Sequence, residues 1–125
     1  DDFIAVPRAE QYFEPINWYR TILHELGHWT GHHSRLDRLP KGGDLPAYAR
    51  EELCAEMASA FLCAELGIVP TVRHADYIGS WLSILREDSK AIFRAASQAS
   101  KAADYLLAFL PQDKGTASKD EEALV

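Results

Sequence analysis

The sequence is short of cysteine, of long apolar runs and of positive charge, and each shortage excludes something. Its 125 residues hold two cysteines, Cys54 and Cys63. They lie nine positions apart in one segment of helical pattern, which puts them on opposite faces and roughly 13 Å apart along the axis. A disulfide needs Cα atoms within about 7 Å, so these two do not pair with each other. Neither belongs to a Cys-x-x-Cys, so they are not read as metal ligands, and free thiols suit a reducing cytoplasm. No apolar run approaches the roughly 20 residues of a membrane helix, so no membrane partner is expected. The start, Asp1-Asp2-Phe3, has neither the basic opening nor the apolar length of a signal peptide. With 13 Lys and Arg against 19 Asp and Glu, the net charge is −6. A whole-surface nucleic-acid clamp needs a basic face and is excluded on that count.

What remains is 47% hydrophobic and 26% charged, the composition of one folded domain. A chain of this length buries about two-thirds of its unfolded surface. The expected class is α+β, mainly α: a short edge strand followed by about four helices, in one domain over 1–110. Residues 3–6 form a short apolar run that Pro7 stops, which reads as that edge strand, with its partner strands upstream of the chain. A first helix is expected over about 15–30, with Ile16, Tyr19, Ile22, Leu23 and Leu26 as its buried stripe. Residues 31–47 carry Pro40, Gly42, Gly43 and Pro46 and read as a long loop. A second helix follows over 47–66, with Leu53, Met57, Ala60, Phe61 and Ala64 on one side. A third covers 75–85. The fourth covers 89–109, with Ile92, Phe93, Ala96, Ala99, Ala103, Leu106 and Leu107 as its apolar face. Residues 111–125 read as a disordered tail.

The decisive segment is His24-Glu25-Leu26-Gly27-His28. Residues four apart on a helix are offset by only about 40°, so His24 and His28 project side by side. Two imidazoles so placed can reach one Zn²⁺. Glu25, roughly 100° from His24, points beside the metal and can act as base toward a water that the metal activates. Gly27 in mid-helix costs about 1 kcal/mol relative to alanine, which a close approach by another backbone or by substrate would explain. A hydrolytic zinc site needs a third protein ligand. Position 34, where a further histidine would stand, is Ser34. The carboxylates of the next helix are the alternative, and Glu52 and Glu56 share a face there. Glu52 is assigned as third ligand and Glu56 as the acceptor behind a ligand histidine, with the reverse assignment left open.

These residues also carry a resemblance. The stretch from Tyr19 to His32 is similar to the metallopeptidase domain of ArdC-type antirestriction proteins, a zincin-like domain that also occurs in TraC-type conjugative primases and polyvalent phage proteins. Ser34 to Arg38, Tyr48 to Glu56, Tyr77 to Leu82, and Ala91 through Leu106 resemble it too, so the likeness covers about residues 2–109. It implies a zinc-dependent peptidase of the glutamate type, acting on a peptide or protein as the C-terminal domain of an antirestriction-type protein, and it favours Glu52 over Glu56 as ligand. Members usually carry an N-terminal single-stranded-DNA-binding domain, to which nothing in this chain corresponds. Nucleic acid is therefore expected only through a domain absent from this chain. Zincins often stabilise the oxyanion with a histidine or tyrosine, and His74 and Tyr77 are the candidates here. His32 and His33 read as a solvated helix end, and Arg35, Arg38 and Lys41 as an ordinary exposed loop. Trp18, Trp29 and Trp81 read as core or groove wall. The rival reading is a metal-containing binding module with little proteolysis. The intact Glu25 and the open fourth ligand position argue for the enzyme.

Overall fold

The computed structural model describes residues 2–11, 15–39, 43–68 and 74–111. Among them the regular elements are helical: a 3-10 turn at Ala9–Gln11, then α1 (Pro15–Trp29), α2 (Leu45–Glu65), α3 (His74–Ile84) and α4 (Ala91–Leu107). No described helix is long and apolar enough to cross a membrane.

The expected edge strand is a correction. Residues 2–8 adopt no regular structure, and no strand exists among the described residues to pair with them. A lone extended segment leaves its backbone groups without a ladder, so it is fixed by side chains instead. Asp2 accepts two hydrogen bonds from Arg35, at 2.6 and 3.1 Å. The expected tail falls almost wholly on residues 112–125, outside the described residues.

The central element is α2, which packs against α1, α3 and α4. Its start lies two residues earlier than the loop breakers suggest. Asp44 caps it, accepting a bond from Ala47 N–H at 3.0 Å, and Pro46 fits the first turn, where no amide hydrogen is needed. Its end is a left-handed Gly67 (φ 72°), with Ile68 N–H donating back to Cys63 O at 2.9 Å. Between these ends every residue from Leu53 to Ser59 is buried. A helix covered on all sides has no single apolar stripe, so the expected one-sided stripe fails. Phe61 and Ala64 are exposed, while Cys54, Glu56 and Ser59 are inside.

Small side chains set the distances between helices. A Cβ on Gly27 would sit 3.3 Å from Ala55 Cα and 3.4 Å from Ala58 Cβ, so α1 lies almost backbone to backbone on α2. On its other side α2 meets an alanine face of α4: Ala91, Ala95, Ala99 and Ala102 pack with Ala49, Leu53, Cys54 and Ala58. Of the apolar face expected for α4, Ala96, Ala99, Ala103, Leu106 and Leu107 pack inward, and the departure lies at its start, where Ala91 and Ala95 take the place of Ile92 and Phe93. Phe93 is 73% exposed and Ile92 also faces outward, because bulky groups would hold the helices apart. On α1 Tyr19 departs from the expected stripe, being exposed, whereas Ile22, Leu23 and Leu26 pack toward Leu62 and Ala103 as expected.

This packing makes a stability test. Ala99 is fully buried in the α2–α4 contact. Ala99→Leu should destabilise the fold by about 1–3 kcal/mol through overpacking. Phe93→Ala should change it by no more than about 0.5 kcal/mol. Thermal melts of both variants check the phase of α4, and the opposite ranking would show it misassigned.

Candidate metal centre

Because α1 lies so close to α2, the imidazoles of one helix reach the carboxylates of the other. His24 and His28 stand four residues apart on α1, and their Nε2 atoms are 3.1 Å from each other. Glu52 on α2 faces both, with Oε1 3.2 Å from His24 Nε2 and Oε2 2.7 Å from His28 Nε2. One donor atom from each of the three residues lies within 4.8 Å of the others. A tetrahedral ion about 2.0–2.1 Å from each donor keeps its donors about 3.3–3.4 Å apart, close to what is seen. The donor set of two imidazoles and a carboxylate thus fits a divalent cation and leaves one coordination position open.

The far sides of both rings are occupied. His24 Nδ1–H donates to Glu56 Oε1 at 3.0 Å, and His28 Nδ1–H donates to Glu51 Oε2 at 2.9 Å. Each bond holds Nδ1 as a donor, so that the ring gives up its Nε2 proton, not its Nδ1 proton, when a cation takes the place of that proton beside Glu52. The two carboxylates are in turn held by arginines. Arg20 donates Nη2–H to Glu56 Oε1 (2.7 Å) and Nε–H to Oε2 (3.2 Å). Arg38 donates Nε–H to Glu51 Oε1 (2.8 Å) and Nη2–H to Oε2 (2.9 Å).

These contacts keep all three carboxylates ionised. Burial alone would raise Glu56, but hydrogen bonds from His24, His74 and Arg20 hold it well below the usual carboxylate range. Burial likewise opposes the bonds from His24 and His28 at Glu52, which win and take it down to about 2. Glu51 is lowered against its own burial by Arg38 and His28. Burial pushes His28 down, yet Glu51 and Glu52 outweigh it and raise the ring to about 9; His24 is raised by Glu52 and Glu56 in the same way. An anionic cradle of this kind holds protons tightly, and a divalent cation would compete with them for the same nitrogens.

Glu25 differs from its neighbours. It is half-buried, and among the described residues no hydrogen bond or ion pair holds its carboxylate. It stands where three clefts meet. The largest, about 540 Å³, is walled by His28, Leu39, Tyr48, Glu51 and Glu52. The second, about 260 Å³, is walled by Arg20, His24, Glu52, Tyr77 and Trp81. The third, about 170 Å³, lies under residues 2–5, beside Trp29 and His32. A carboxylate free to bond and open to solvent beside the ligand atoms is placed for proton transfer.

The structure brings His24, Glu25, His28 and Glu52 together and sets Glu56 behind His24. Tyr77 lines the second cleft, with the Arg20 guanidinium 3.9 Å above its ring. His74 is not brought to the ligand atoms. Its Nδ1–H donates to Glu56 Oε2 at 2.7 Å, which puts it behind His24, and its Nε2 is buried with no hydrogen-bond partner among the described residues. His33 is exposed and His32 half-buried. The reading of Arg35 and Arg38 as an exposed loop is corrected: their side chains are only 9% and 7% exposed. Arg35 lies over the Trp29 ring and donates to its carbonyl oxygen, while Arg38 turns under α1. Lys41 lies outside the described residues. Trp29 packs edge-on to Tyr105, and Trp81 to Tyr48.

Glu51, Arg20 and Arg38 escaped the reading of the sequence. One signal for Glu51 was available: each ligand histidine needs an acceptor on its other nitrogen, and Glu56 serves only one of them.

Residues 1–98 match the family described as zincin-like metallopeptidase, MPTase-PolyVal. The chain belongs to that family. Relatives agree with the match. The DNA primase TraC of Escherichia coli is 52% identical over 112 residues, covering 86% of this chain and 10% of the primase. Among solved structures, the Mn(II)-bound antirestriction protein ArdC from plasmid R388 matches with a TM-score of 0.68 and 44% identity, over 82% of this chain and 39% of ArdC. Its metal-free form matches with a TM-score of 0.66. This zincin-like chain therefore spans only a part of the relatives it matches.

The three carboxylates of α2 should separate by function. Glu52→Gln removes an anionic donor and should cost the most divalent-metal affinity. Glu56→Gln and Glu51→Gln should each cost about 10–100-fold, as hydrogen-bond partners of ligands do. Competition titration against a chromophoric chelator measures all three, and a larger loss in Glu56→Gln than in Glu52→Gln would exchange their roles.

Proposed function

We propose that this chain is a zinc-dependent metallopeptidase centre of the glutamate type, hydrolysing peptide bonds, and that it serves as the C-terminal domain of a longer antirestriction-type protein. The observation that carries the reading is the convergence of His24, His28 and Glu52 on clefts shared with a Glu25 carboxylate that has no partner among the described residues. Membership of the metallopeptidase family and the likeness to ArdC support it. Two imidazoles and a carboxylate with an open position is the donor set of catalytic zinc sites.

Held by those three residues, zinc supplies Lewis acidity toward a carbonyl and lowers the pKa of water. The chain's own residues do the rest. Glu25 accepts the proton of the attacking water and delivers it to the leaving amine. Tyr77, on the wall of the cleft that Glu25 shares with His24, offers a hydroxyl to the developing oxyanion. The cleft of about 540 Å³ between α1 and the start of α2 receives the peptide or protein substrate. Two free buried thiols suit a cytoplasmic setting. With a net charge of −6, the chain by itself is not read as a nucleic-acid binder.

The test is a peptide-library cleavage assay on protein stripped with chelator and reloaded with zinc. About one zinc per chain should bind, and binding should raise the melting temperature. Glu25→Gln should keep the zinc and lose hydrolysis by about 10²–10⁴-fold. Full activity in Glu25→Gln would sink the mechanism, and recovery of well under half an equivalent of zinc would sink the centre.

A further inference from the structure

Arg20 and Arg38 come from different segments and do the same thing at opposite ends of the site. Arg20 sits on α1 one turn before His24, so the two share a face and meet the same oxygen, Glu56 Oε1, at 2.7 and 3.0 Å. Arg38 arrives from the turn after α1. Asp37 takes a left-handed conformation there (φ 51°), one that aspartate tolerates better than most residues, and Arg38 N–H bonds Gly31 O at 2.8 Å. The Arg38 side chain then runs back beneath α1. Besides its two bonds to Glu51, it donates to Gly27 O at 2.8 Å and to Thr30 Oγ1 at 3.2 Å. Both guanidiniums are largely buried, at 17% and 7% exposure, and each grips both oxygens of its carboxylate.

We infer that Arg20 and Arg38 are positioning residues for metal binding, each acting through one carboxylate on one ligand imidazole: Arg20 through Glu56 on His24, and Arg38 through Glu51 on His28. The inference rests on the divalent-metal reading of the site. A carboxylate held at both oxygens cannot rotate away from the Nδ1–H it accepts, so the ring stays in the tautomer and the orientation that aim Nε2 at the cation. Only the planar fork of arginine does this, because a lysine ammonium is a point charge without a fixed second donor.

The inference makes a prediction of unusual sign. Charge alone says that deleting a cation near a divalent-metal site strengthens metal binding. Positioning says that the same deletion weakens it. Zinc titration, with thermal melts as the check on folding, should compare wild type with Arg20→Gln, Arg38→Gln, Arg38→Lys, Glu56→Gln and the Arg20→Gln/Glu56→Gln double variant. Each Arg→Gln variant should bind zinc about 10–100-fold more weakly. Arg38→Lys should resemble Arg38→Gln rather than wild type. The double variant should bind no more weakly than Glu56→Gln alone, since Arg20 acts only through that carboxylate. Equal or tighter binding in folded Arg→Gln variants, or additive losses in the double variant, overturns the inference while the metal centre stands. If Arg38 variants fail to fold because Gly27 and Thr30 lose their donor, the Arg20 cycle decides. Wild type that binds no zinc overturns the centre and this inference with it.

Discussion

The site depends on how closely α1 can lie on α2. At Gly27 the two backbones come within the space of a single methyl group, since a Cβ there would already touch Ala55 Cα at 3.3 Å. This contact falls inside the metal motif, between Glu25 and His28. Glycine costs helix stability at that position, and the interhelical contact it permits offsets the cost. A bulkier residue would push the helices apart, and carboxylates now about 3 Å from imidazole nitrogens would fall out of hydrogen-bond range.

That approach draws several charges out of water together. Glu51, Glu52 and Glu56 bring three negative charges into two turns of a helix packed against α1, and removing ions from water is costly unless they are paired. Arg20 and Arg38 neutralise two of the three and use their fork geometry to do so. Among the described residues, the third, Glu52, is paired with imidazole nitrogens alone. It is the carboxylate left for a cation. On the proposed reading the roles separate by partner: carboxylates gripped by guanidinium orient the histidines, the one without a guanidinium is the metal donor, and Glu25, without any partner among the described residues, is left for proton transfer.

Much of this was legible in the sequence. His24, Glu25 and His28 declare themselves by spacing, because a helix converts a four-residue interval into a shared face. Glu52 and Glu56 follow from the same rule on the next helix. The close approach at Gly27 was foreshadowed by an energetically costly residue in mid-helix. The expected edge strand failed because a short apolar run does not reveal whether anything lies beside it. The apolar face of α4 was legible from Ala96 to Leu107 but misplaced at its start, because hydrophobicity ranks Phe93 above Ala95, whereas packing against the small residues of α2 reverses that order.

The sequence by itself determined the helices and the chemical identity of the motif, since both depend on local periodicity and on residue type. Tertiary structure alone decided which carboxylate stands behind which histidine. Glu51 and Glu52 are neighbours in sequence, yet one takes Nδ1 of His28 and the other reaches Nε2 of both histidines. That difference comes from about 100° of helical rotation seen from a second helix at a fixed distance. Arg38 is farther still from local rules. It reaches Glu51 only because a left-handed Asp37 and the backbone bonds of residues 31–39 fold the loop back beneath α1. Such a path leaves no period in the sequence, because its partners are set by the fold rather than by spacing along the chain.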